Sequence, residues 1–140
     1  MITAFNISNV EGKISDMSSL PQQRFPKLNI NVEDVSSKGN KLNISYSFVA
    51  DYFAGDDEKS PSVGQIKLSG TIEMDEKADA IAEVIKKWNE SHTLPVDMAE
   101  EVINGLNFRC SATGTLIAYS LGLIPPLVIT RTKIEEQGKA

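Results

Sequence analysis

The residues able to do chemistry in this chain are few, and none has the company that chemistry needs. The single histidine, His92, sits in the polar stretch from Asn89 to Thr93. General-base catalysis requires a carboxylate to orient the imidazole and a nucleophile in reach, and no spacing here marks either. An exposed loop histidine is the expectation. Asp56, Asp57 and Glu58 offer oxygen ligands that suit calcium or magnesium, but adjacent residues cannot all face one ion and no EF-hand spacing follows. They read as a solvated acidic hairpin tip. The lone cysteine, Cys110, cannot close a zinc site with one histidine. A reactive thiol needs a cationic, solvent-reached setting, and Arg109 projects about 100° away from Cys110 on a helix. Cys110 is expected to be a small buried hydrophobe. RCSATGT has one glycine and neither the spacing nor the lysine of a phosphate loop. No catalytic residue, cofactor or metal ligand is assigned, and the chain is read as a non-enzyme.

The elements that would position any site are clearer. From Cys110 to Thr130 the sequence CSATGTLIAYSLGLIPPLVIT carries no charge, in a chain that is 24% charged. Ser111, Thr113, Thr115 and Ser120 interrupt it and Pro125-Pro126 stop it, so it does not read as a membrane span. A helix that is apolar all round is normally buried between two layers of protein. In 140 residues the second layer is expected from another subunit.

Length bounds the chain to one domain, residues 1–140, with a frayed tail over 132–140. One cysteine fits a reducing compartment such as the cytosol, and the segment after Met1 lacks the basic and apolar regions of a secretory leader. A net charge of −5 with scattered Lys and Arg argues against nucleic acid as a partner.

Phe5 and Ile7 alternate with polar residues, and then the phase slips by one so that Val10, Gly12 and Ile14 fall in line, which predicts a bulge. Residues 15–26 read as a loop. Leu28, Ile30 and Val32 alternate with Asn29, Asn31 and Glu33, and Ser36–Asn40 is a turn. Leu42, Ile44, Tyr46 and Phe48 share one face of the next strand, and Ile66, Leu68, Gly70, Ile72 and Met74 share one face of the strand after it. Ile44, Phe48, Leu68 and Ile72 are predicted to face the helices. Four such strands on short loops predict an antiparallel meander.

The period then changes to 3.6. Ile81, Val84, Ile85 and Trp88 define a helix of roughly a dozen residues. A second helix opens at Leu94-Pro95 and runs to about Leu121, on the order of 40 Å. One stripe of it is Ala99, Val102, Ile103, Leu106, Cys110, Thr113 and Ile117. The opposite stripe, Gly105, Phe108, Ala112, Leu116 and Tyr119, has no partner inside the chain and is predicted to form an oligomer interface. Gly105 and Gly114 point to close approach of another backbone, as in a packed helix pair.

In this order of elements the chain resembles the SecB family of protein-export chaperones. The resemblance is closest in VINGLNFRCSATGTLIAYSLGLIPPLVI, and KLNINVEDVSSKGNKLNISYSF and FNISNVEGKIS look like the family's early strands. Two features depart from the family: a second C-terminal helix is missing or reduced to TKIEEQ, and no Cys/His-rich tail is present, which puts coupling to a secretion ATPase in doubt. The fold expected is α+β, a four-stranded antiparallel sheet covered on one face by a short and a long helix. The resemblance implies a cytosolic homo-oligomer, dimer or tetramer, that holds unfolded polypeptide or one dedicated protein partner in apolar grooves without ATP. Tyr52, Phe53, Leu123, Ile124 and Leu127, apolar residues at the ends of elements, are the candidate client contacts. The alternative on the same fold is a small-ligand-binding or regulatory subunit.

Overall fold

Every second residue from Leu42 to Tyr52 is buried, and so is every second residue from Gly64 to Met74. Two adjacent strands with one dry face each require a covering layer on that side only. The computed structural model describes residues 1–55, 59–127 and 134, and it supplies that layer as two helices. The elements are β1 (Ile2–Ile14), a 3-10 turn (Met17–Gln22), β2 (Lys27–Lys38), β3 (Lys41–Phe53), β4 (Ser62–Asp75), α1 (Ala78–Ser91) and α2 (Val96–Leu121). The fold is the expected α+β arrangement, a four-stranded antiparallel sheet with both helices on one face.

The strand order corrects the meander. It is β1-β4-β3-β2, so β1 pairs with β4 and the chain crosses to the far edge before β2 begins. The crossing segment, read as plain loop, contains a 3-10 turn capped by Asp16, whose side chain accepts from the Ser18 amide at 3.0 Å.

Both edge strands are bulged. The phase slip between Ile7 and Val10 is a register shift between Ile7 and Asn9, as the alternation predicts. A second slip, between Val32 and Val35, is also a register shift, which brings Val35 into the core opposite Ile44. It leaves Glu33 on the polar face, where its carboxylate accepts from the Ser47 hydroxyl at 2.6 Å. The four residues predicted to face the helices, Ile44, Phe48, Leu68 and Ile72, all have no exposed surface.

α1 packs over β2, and α2 crosses β4 and β1. α1 buries Ile81, Val84 and Trp88 and ends with His92 in the left-handed region, its amide donating to the Trp88 carbonyl at 2.8 Å. The 26 residues of α2 span about 39 Å at 1.5 Å each. Gly122, with φ of 74°, ends α2 three residues before the prolines.

Candidate functional site

α2 carries two different surfaces. Val102, Leu106, Cys110, Ser111, Gly114 and Ala118 are buried. Burial pushes the Cys110 thiol up to about 12, so it is neutral near pH 7 and is the small hydrophobe expected. The other surface is wet. Phe108, Leu116 and Tyr119 are 75%, 71% and 73% exposed, and Ala112 between them is exposed as well. Spacings of four, four and three residues place these side chains in one row down the helix. Three side chains of this size, three-quarters uncovered, leave on the order of 400 Å² of largely apolar area to solvent, as much as the largest patch on a typical monomer.

Gly105 differs from the rest of its row. A Cβ there would lie 3.2 Å from Ile2 Cδ1, so this end of the row is roofed by β1 of the same chain. Gly114 is likewise satisfied internally, with the Pro126 ring 2.9 Å from where its Cβ would be. Within this chain the atoms that approach the two glycines belong to side chains and not to another backbone.

The five candidate client contacts fall into two groups. Tyr52, Leu123 and Ile124 come together in a closed junction at the end of β3. Tyr52 is fully buried and its hydroxyl donates to the Ile124 carbonyl at 2.6 Å; Leu123 is buried beside it and Ile124 half-buried. Gln23 locks the junction, donating through Nε2 to the Gly122 carbonyl at 2.9 Å and accepting the Ile124 amide on Oε1 at 2.7 Å. A closed junction offers a client no surface. Leu127 is 53% exposed and Phe53, one residue past a register shift, is half-buried.

An open apolar hollow lies elsewhere, and the sequence reading missed it. It has a volume of about 360 Å³ between β2 and the facing ends of the two helices, and its walls include Ile30, Val32, Trp88, Val102 and Ile103. Trp88 belongs to the core, and Ile30 and Val32 pack against it half-buried. What no periodicity shows is that the facing ends of the two helices leave Ile30 and Val32 of β2 only half covered.

His92 stands at the rim of this hollow, exposed, with its ring 5.3 Å from that of Trp88 in an edge contact. Asp56, Asp57 and Glu58 lie outside the described residues, as does the segment 132–140 apart from Ile134, whose amide donates to Glu100 Oε1 at 2.7 Å. Among the described residues, no three His, Cys, Asp or Glu gather as a metal-ligand set, and no helix is long and apolar enough to cross a membrane. No family model matches the chain, and no curated protein matches it by sequence.

Proposed function

We propose that this protein is a homo-oligomeric, ATP-independent polypeptide-binding protein of the SecB type. The observation that carries the reading is the row Phe108, Ala112, Leu116 and Tyr119 standing in solvent on the outer face of α2. Covering on the order of 400 Å² of such surface is worth up to about 10 kcal/mol before the costs of association. A twofold pairing of α2 with its copy covers the row symmetrically. With that row committed to subunit contact, the hollow walled by Ile30, Val32, Trp88 and Ile103 is left as the surface for an apolar segment of a partner chain. The net charge of −5 favours basic, unfolded clients over acidic ones.

The test is aggregation of a chemically unfolded protein followed by light scattering. An equimolar amount of this protein, without nucleotide, is expected to suppress most of the scattering. Unchanged scattering rejects the reading. A second reading rests on the size of the hollow, which falls within the roughly 300–1,000 Å³ of small-molecule sites. A small apolar molecule that raises the melting temperature by several degrees, together with no effect on aggregation, favours that alternative.

A further inference from the structure

β2 is an edge of the sheet. It pairs with β3 on one side, and among the described residues no strand pairs with the other. In an antiparallel edge strand every second residue turns its N–H and C=O outward, and only water or another extended backbone can satisfy such a row. α1 runs antiparallel above this edge, with Ala78 near Ser37 at one end and Trp88 near Ile30 to Val32 at the other. Its outer flank is an apolar strip, Ala78, Ala82 and Ile85, bordered by the charged residues Lys86 and Glu90. Ala82 and Ile85, with Ser37 below and Lys86 and Asn89 at the rim, line an open trough of about 630 Å³.

A strand edge unpaired among the described residues, beneath a helix flank with an apolar strip, has the layout that accepts a peptide by strand addition, in which backbone hydrogen bonds supply affinity and alternate side chains supply selectivity. We propose that a polypeptide partner docks here as a fifth strand on β2, under the flank of α1. The inference rests on the polypeptide-binding reading above and says how the partner is read. A strand laid from Ser37 to Ile30 covers roughly 23 Å, and its side chains enter the trough at every second position. The partner segment is therefore seven or eight residues long, with apolar residues at alternate positions and polar residues facing the Ser- and Asn-rich side of the sheet.

The dimensions also decide between occupants. A footprint of roughly 23 Å by 10 Å is far below the roughly 800 Å² per partner of a stable folded interface. It fits a transient extended segment and not a second copy of this chain. The bulge at Glu33 breaks the ladder midway, so the docked strand pairs in two short runs, one on each side of it.

The experiment uses the whole chain and reduced, carboxymethylated lactalbumin, a permanently unfolded probe. Hydrogen exchange with and without probe is expected to show alternate amides of residues 28–36 slowed at least tenfold in the complex, while β1 amides are unchanged. Ala82→Arg, an exposed position on the helix flank, is expected to weaken probe binding at least tenfold with an unchanged circular-dichroism spectrum. Probe binding with no change in β2 exchange, or with Ala82→Arg binding as tightly as the native chain, overturns strand docking and leaves polypeptide binding standing. A native chain that binds no probe overturns both.

Discussion

The Tyr46 hydroxyl reaches across Gly70 and donates to the Asn6 carbonyl at 2.9 Å, tying the inner strand β3 to the edge strand β1 over the strand between them. Gly70 makes the crossing possible, because a Cβ there would overlap the Asn6 carbonyl. The bulge after Ile7 bends β1 at this point. Phe5 packs on the Tyr46 ring with centroids 5.4 Å apart, and the Arg109 guanidinium lies 5.5 Å from the Phe5 ring centre. Tyr46→Phe removes a part-buried hydrogen bond and is expected to cost about 0.5–1.5 kcal/mol. Gly70→Ala forces β1 off the sheet and is expected to cost more than the tyrosine change, by urea denaturation. A Gly70→Ala protein as stable as the native one would show that β1 does not depend on this approach.

Much of this arrangement is legible in the sequence, and the illegible part has a definite character. The parity of Leu42 to Phe48 and Ile66 to Met74 decides which face is dry, and a one-residue slip in that parity marks the bulge in β1. The same kind of slip between Val32 and Val35 was equally readable. Strand order was not, because alternation is a property of one strand and says nothing about its neighbour. The buried state of Tyr52 was missed for a related reason: the residues covering it come from the chain beyond α2 and from Gln23, far away in sequence. The exposed row on α2 was readable by subtraction, since one sheet face cannot cover two sides of a helix.

Ile72 sits with no exposed surface beneath the helices, opposite Phe5 on one side and Ile44 on the other. Ile72→Ala is expected to destabilise by about 2–5 kcal/mol. A loss below about 0.5 kcal/mol, the range of surface changes, would contradict this placement.

Ser111 presents the opposite case. Its hydroxyl is buried on the flank of α2 and finds no hydrogen-bond partner among the described residues. Ser111→Ala removes an unsatisfied polar atom and improves helix propensity. It is expected to stabilise the protein by up to about 1 kcal/mol, seen as a higher urea midpoint at unchanged slope.

Three buried acids set an alkaline limit. Burial raises Cys110 from 9.0 to about 12, and burial also raises the Tyr46 and Tyr52 phenols above their ordinary value of 10.0. In the unfolded chain these groups lose their protons first, so the unfolded state binds fewer protons and stability falls as pH rises. The contribution is fully present below pH 9 and is lost from Cys110 first, at up to about 1.4 kcal/mol per pH unit once the unfolded thiol has ionised. The tyrosines join above pH 10. Cys110→Ala is expected to flatten the stability profile between pH 9 and 10 while leaving the steeper fall above it, measured by urea denaturation at fixed ionic strength. Identical profiles for the two proteins would show that the thiol does not titrate differently in the two states.

The exposed row on α2 makes the assembly testable without knowing any client. Ala112 lies midway between Phe108 and Leu116 and is itself exposed, so a longer side chain there meets nothing in its own chain. Ala112→Arg is expected to leave the melting temperature of the dissociated subunit unchanged, because surface substitutions cost within about 0.5 kcal/mol. In an assembly with α2 on α2, the same change puts two guanidinium groups face to face in apolar surroundings, where unpaired charges are strongly disfavoured. Size-exclusion chromatography with light scattering at tens of micromolar is expected to give a multiple of the 15.3 kDa chain mass for the native protein and a smaller species for Ala112→Arg. A native protein that elutes as a monomer rejects pairing through this row. A native oligomer that Ala112→Arg leaves intact moves the interface off α2 and frees Phe108, Leu116 and Tyr119 as a second polypeptide-binding surface.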